Sequence, residues 1–251
     1  MVDISLEKLL EVGAHFGHQT KRWNPKMAQY IYGVREGISI FDLVKTKEAL
    51  LEALEFLGDA AKKGKLVLFV GTKRQVKDKI KEVALELNAP YVNERWLGGL
   101  LTNFEQIKSS VRRLVQMREA REKGEYNSFT KKERLIIDRQ IEKLEVKVGG
   151  LRKLTRLPDV IFIVDTHKEA SAVREASKMG IQVVGIVDSN ADPSLVDWPI
   201  PMNDDAASVL DYVLDLVKSS MIQSIVNDKP KSKKKNTNSE KSKVGKKSKK
   251  G

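Results

Sequence analysis

The side chains with the clearest capacity for chemistry are His15 and His18, separated only by Phe16 and Gly17. Imidazole nitrogens at that spacing can share one face, and a carboxylate from Asp188, Asp204 or Asp205 would complete a zinc-like set. The same two rings could instead hydrogen-bond phosphate or backbone, and the residues alone leave both readings open. The remaining histidine, His167, falls in the first turn of an expected helix, where it should be exposed. There is no cysteine, so the chain has neither disulfides nor thiolate ligands. No nucleophile, base and orienting group recur at spacings that would build a covalent catalyst.

Nucleotide chemistry requires its own pattern, and it is missing. A dinucleotide fingerprint needs G-x-G-x-x-G directly after a strand, so that backbone can approach the pyrophosphate. Here Val70-Gly71-Thr72-Lys73-Arg74 supplies a single glycine. Gly58…Gly64-Lys65 has one residue too many for a P-loop, Leu66 follows the lysine, and the segment precedes a strand. Asp165 and Asp188 close two strands where open α/β sheets place ligands, or they cap the loops there. Gly98-Gly99 and Gly149-Gly150 read as hinges.

Cations interleaved with aromatics form a different set: Lys21, Arg22, Trp23 and Lys26 in one segment, Arg95 and Trp96 in another. Lys and Arg meet phosphate, and a planar ring can stack on a splayed base, so this mixture suits RNA. Either tryptophan could equally be a core anchor.

These groups must be held by a scaffold, and its elements are readable. Residues 5–12 form a helix with Ser5 as N-cap, and 15–26 an ordered loop. Tyr30–Gly33 and Ile38–Phe41 pair as a hairpin turning at Glu36-Gly37. Thr46–Lys63 repeats leucines at helical spacing. Leu66–Val70, Val160–Val164 and Val183–Val187 are continuous apolar runs, the mark of strands buried on both faces. Tyr91-Val92 and Pro199-Ile200-Pro201 add two short strands. Thr72-x-x-Gln75, Thr130-x-x-Glu133 and Thr166-x-x-Glu169 read as capping boxes opening helices. Asn203-Asp204-Asp205 should cap a last helix ending near Val226. Strands alternating with helices predict an α/β, doubly wound, Rossmann-like parallel-sheet sandwich. Between its halves, Ile137, Ile141, Leu144, Val148 and Leu151 repeat at coiled-coil spacing, with a break at 124–129. The expected division is an α/β domain from 1–104 and 154–226, an inserted antiparallel helical hairpin at 105–153, and a tail at 227–251.

Charge separates the tail from the body. The tail carries eleven lysines against Asp228 and Glu240, a net +9 of the +12 on all 251 residues, which leaves +3 for the body. With Val244 as its one larger apolar residue the tail cannot offset the entropy of folding, and disorder is expected. It serves either loose phosphate attraction or solubility. The N-terminus lacks a basic region before an apolar run, so no signal peptide is expected, and no window suits a membrane span.

Several segments together resemble one family. His15-Phe16-Gly17-His18-Gln19-Thr20-Lys21-Arg22-Trp23-Asn24-Pro25-Lys26-Met27 is similar to the N-terminal signature of the bacterial small-subunit ribosomal protein S-two family. Arg95-Trp96-Leu97-Gly98-Gly99-x-Leu101-Thr102-Asn103 resembles its second signature. Phe69–Lys73, Leu157–Asp159, Val187–Asn190 and Ile200–Ala206 match in the same order, and the resemblance spans about residues 1–226. It implies a flavodoxin-like domain with an inserted helical hairpin, and a structural constituent of the small subunit that is not an enzyme. It further implies binding to small-subunit rRNA and neighbouring ribosomal proteins, support of subunit assembly, and docking of the mRNA-binding ribosomal protein S-one. The setting is a ribosome in the cytoplasm, away from membranes. No cofactor is required, with zinc at the histidine pair as the open exception. The Lys-rich tail lies outside the family pattern. A nucleotide-dependent enzyme on the same fold, or an mRNA-binding regulator outside the ribosome, are the competing readings, and cosedimentation with small subunits separates all three.

Overall fold

A computed structural model describes residues 4–228. The predicted tail at 227–251 overlaps it only at 227 and 228, which continue the last helix; residues 229–251 lie outside the described part. Helices α1 (Leu6–Val12), α2 (Leu43–Lys62), α3 (Lys77–Glu86), α4 (Phe104–Glu122), α5 (Lys131–Val148), α6 (Ala170–Lys178) and α7 (Ala207–Asp228) are joined by strands in two sheets. Strands β1 (Phe16–Gln19), β2 (Ile31–Arg35) and β3 (Ile38–Phe41) form a small antiparallel sheet in the order β1-β3-β2. Strands β4 (Val67–Val70), β5 (Tyr91–Val92), β6 (Val160–Val164), β7 (Gln182–Val187) and β8 (Trp198–Pro201) form a parallel sheet.

The parallel sheet runs β5-β4-β6-β7-β8, which in chain order is the 2-1-3-4-5 winding of flavodoxin-like sandwiches. Every residue of β4 and β6 is buried, as the continuous apolar runs require. The pleat divides them between two cores. Val67, Phe69, Val160, Phe162 and Val164 face α1, α2, α3 and α7 through Leu9, Leu57, Ile80 and Leu214. Leu68, Val70, Ile161 and Ile163 face α6 and the segments around it through Val173, Leu101 and Leu151. Full burial of one such large side chain contributes about 1.5–3 kcal/mol. β8 sits at a sheet edge, the place where Pro199 and Pro201, lacking N–H groups, do least harm.

Helices α2 and α7 meet closely at Gly58. A Cβ there would lie 2.6 Å from Ser224 Oγ, and Ser220 Oγ donates to Leu54 O at 2.9 Å. In the small sheet, Glu36 and Gly37 both take left-handed backbone, φ +53° and +77°, giving the primed two-residue turn that suits a hairpin.

Several local expectations are corrected. Phe16–Gln19 is a strand and not part of a loop; it pairs with β3 through Phe16–Ile40 and Gln19–Ile38. Of the three capping boxes only Thr130–Glu133 forms, with both reciprocal bonds present. The Thr72 hydroxyl donates instead to Glu169 Oε1, and α3 begins at Lys77 with no side-chain cap. Helix α6 likewise begins without one: the Glu169 N–H donates to Asp165 O at 3.0 Å, and Thr166 Oγ1 is buried without a partner among the described residues. The Asn203–Asp205 turn is spent on other partners, described below.

Helices α4 and α5 are tied by Arg121–Asp138 at 2.7 Å and Arg118–Glu145 at 3.3 Å. Their apolar residues are shared with the body: Leu114 and Val148 are buried in the same core as Ile161 and Ile163. Among the described residues, no helix is long and apolar enough to cross a membrane.

Candidate functional site

In a sheet wound 2-1-3-4-5 the connections diverge on either side of the first strand, here between β4 and β6, and the carboxyl ends of the strands there border a crevice. The charged residues singled out above collect at that edge. Thr72 and Lys73 follow β4, Arg95 and Trp96 follow β5, Asp165 follows β6, Asp188 follows β7, and Asp204 and Asp205 follow β8.

The centre of the edge is Lys73. Its Nζ lies 2.9 Å from Asp165 Oδ2, 2.5 Å from Asp204 Oδ1 and 2.7 Å from Asp205 Oδ1. Burial works against its charge, yet the three carboxylates outweigh burial and hold the ammonium well above its ordinary pKa. Asp188 is nearly fully buried and fully bonded: it accepts from His18 Nδ1 at 3.0 Å, from the backbone N–H and the hydroxyl of Ser189, and from Asp204 N at 3.2 Å. The Asp188 hydrogen bond raises the His18 pKa despite partial burial. Burial, followed by the charges of Asp188 and Asp165, pushes the Asp204 carboxyl up; Lys73 pulls against them. Burial also opposes ionisation of Asp205, but Lys73 and His18 prevail and hold it low.

The structure thus brings His18, Asp188, Asp204 and Asp205 together and leaves His15 out. His15 Nδ1 is buried without a hydrogen-bond partner, the ring packs on Phe16 with centroids 4.0 Å apart, and burial lowers its pKa. Among the described residues no group of three or more His, Cys, Asp or Glu side chains is arranged to hold a metal ion. Of the expected zinc-like set, His18 reaches Asp188 and Asp205 while His15 stays apart, and the Lys73 ammonium lies among Asp165, Asp204 and Asp205.

The cationic segment is pinned to the same edge. His18 N donates to Ser189 Oγ at 2.8 Å and Asn24 N to Ser189 O at 2.7 Å. Gly17 permits this approach, since a Cβ would sit 2.9 Å from Ser189 Oγ and 3.1 Å from Ser39 O. Lys21 and Arg22 are exposed in the short helical turn Thr20–Arg22, and Trp23 is 39% exposed beside them. Lys26 is tied to Asp192 at 2.7 Å and to Ser194 at 2.8 Å, so part of its charge is spent within the fold.

The second segment is organised by Glu175 on α6. Its carboxylate accepts from Trp96 Nε1 at 3.1 Å, Gly99 N at 2.8 Å and Leu101 N at 3.1 Å. Burial works against the carboxylate's charge, but these donors hold its pKa low. Trp96 is therefore a core anchor, 7% exposed. Arg95, one residue earlier, is exposed.

Comparison with known proteins meets this geometry directly. A sequence profile described as ribosomal protein S2 matches residues 9–224. The chain belongs to the ribosomal protein S2 family. It is 47% identical over 223 residues to small ribosomal subunit protein uS2 of Coprothermobacter proteolyticus, covering 89% of this chain and 83% of that one. Identity to uS2 of Mesorhizobium japonicum is 50% over 223 residues, covering 89% and 85%. Identity to uS2 of Wolinella succinogenes is 52% over 203 residues, covering 81% and 75%. Members of the S2 family are structural ribosomal proteins of translation, not enzymes.

Within this S2 chain, sequence reasoning passed over Lys73, Glu175 and Ser189 as working residues. A signal for Lys73 existed: a lysine directly after a central strand must share the sheet edge with aspartates that close the neighbouring strands. Glu175 carried no such signal, because its partners lie more than seventy residues away.

Proposed function

We propose that this structural ribosomal protein binds small-subunit rRNA with the carboxyl edge of its parallel sheet. The observation that carries the reading is the pair of exposed cations Lys21 and Arg22 beside the half-exposed Trp23, held on the same edge as exposed Arg95. Phosphate contacts from such residues fix position, and a ring with a free face adds stacking. Lys26 contributes less, being paired with Asp192. Trp96 acts indirectly by fixing the loop that carries Arg95. Lys73 supplies positive charge inside the carboxylate cluster.

In the same reading α4 and α5 serve as an inserted antiparallel coiled-coil hairpin, spanning 105–153, that reaches neighbouring small-subunit proteins. The protein supports subunit assembly and the docking of ribosomal protein S-one, and it works on ribosomes in the cytoplasm. The Lys-rich residues 229–251 add diffuse attraction to phosphate.

The test is cosedimentation. Full-length protein should travel with small subunits at moderate salt, at one copy per subunit. Recovery in the ribosome-free fraction, with subunits assembling normally without it, would overturn the reading.

A further inference from the structure

The crevice at the winding switch point, between the ends of β4, β5 and β6, holds a cleft of about 530 Å³. Its charged lining is Glu94, Arg95, Lys168 and Glu169, with Thr72 and Trp96 beside them. Glu94 is paired with Lys77 at 3.1 Å. Arg95 is exposed and makes no ion pair among the described residues, while Lys168 donates to the Thr72 carbonyl at 3.2 Å and its charge also acts on Glu169. Glu169 is 5% exposed, and one of its oxygens accepts the Thr72 hydroxyl.

This lining is wrong for a bare anion and right for a nucleotide. A phosphate alone would gain from Arg95 and Lys168 but meet two carboxylates, Glu94 and Glu169. A nucleotide offers both ends: its phosphate pairs with the two cations, and an exocyclic amine on its base can donate to a carboxylate oxygen. Trp96 lines the cleft beside them. A Cβ added at exposed Gly98 meets nothing within 4 Å, so a larger side chain can be placed at the cleft rim there.

We infer that the cleft seats one unpaired nucleotide of the bound RNA, its phosphate on Arg95 and Lys168 and its base toward Trp96 and Glu169. The inference rests on the RNA-binding reading above and names where a splayed base enters the protein.

Ultraviolet crosslinking of the full-length chain to small-subunit rRNA, with peptides identified by mass spectrometry, tests it alongside affinity. The expected crosslink falls on the 94–98 segment. Gly98→Leu fills the cleft without altering charge; it should abolish that crosslink and weaken binding about tenfold, with thermal unfolding unchanged. Arg95→Ala/Lys168→Ala should lower the salt slope by about one to two units, roughly one for each phosphate that goes unneutralised. If the parent binds RNA but crosslinks only within 20–26, and Gly98→Leu binds as tightly as the parent, the cleft inference fails while the RNA-binding reading stands. If the parent shows no saturable RNA binding, both fall together.

Discussion

At Lys73, one ammonium answers three carboxylates, and its side chain is only 12% exposed. Removing one partner of a buried ionic cluster leaves charge without compensation, a loss of about 3–5 kcal/mol. Lys73→Met should therefore destabilise the fold by roughly that amount in urea unfolding; a loss below about 1 kcal/mol would mean the aspartates simply retain protons. His18 makes a pH-dependent contribution. Its folded pKa is raised above 6.5 by Asp188, so the folded state holds its proton where the unfolded chain releases it. The stabilisation is complete below the unfolded value and is lost as pH rises through the folded one. His15 works in the opposite sense at lower pH, because burial depresses its pKa. Parent stability should thus fall more steeply than that of His18→Asn as pH rises above about 6.5, when both are unfolded in urea across that rise; parallel curves would refute the assignment. Glu175→Gln keeps the shape but loses the charge that the donors of Trp96, Gly99 and Leu101 share, and should cost about 1–3 kcal/mol in thermal unfolding. It should also change the fluorescence of Trp96.

The elements show which kinds of sequence signal can be trusted. β4, β6 and β7 were legible because strands buried on both faces leave nothing but apolar residues to read. The hairpin of β2 and β3 was legible from its local turn. β1 was not, since Phe16-Gly17-His18-Gln19 lacks alternation and becomes a strand only by pairing with β3 and with Ser189. The three Thr-x-x-Glu/Gln patterns are equally instructive. Thr130 is exposed, so its local partner wins and the capping box forms. Thr72 and Thr166 stand at the crowded sheet edge, where Glu169 and Asp165 find other partners and the box does not form. The same logic limits the site: Lys21, Arg22 and Arg95 could be chosen by type, but the role of Trp96 depended on Glu175, seventy-nine residues distant. Gly17 joins the small sheet to the large one. Gly17→Val should push β1 away from Ser189 and Ser39, displacing the cationic turn. RNA affinity should fall although no charge is removed; unchanged affinity in a folded variant would show that the turn does not need this anchor.

Across the whole molecule, charge is divided unequally. Residues 227–251 carry +9 of the total +12, while the body, at +3, exposes cations both at the sheet edge, as Lys21, Arg22 and Arg95, and along α4 and α5, Arg112, Arg113, Lys131 and Lys143 among them. Among the described residues the buried core runs from Ile4 to Met221. Truncation after Asp228 should leave the melting temperature unchanged to within a few degrees; a larger drop would mean that the removed segment packs on the body. The sharpest test of the RNA-binding edge is the salt dependence of rRNA affinity for the parent and for Lys21→Ala/Arg22→Ala/Arg95→Ala. Each neutralised phosphate releases counterions, so the slope of log K against log salt should flatten by about 0.9 per cation removed, roughly three units for the triple variant. A folded triple variant that keeps both the affinity and the slope of the parent would contradict the account.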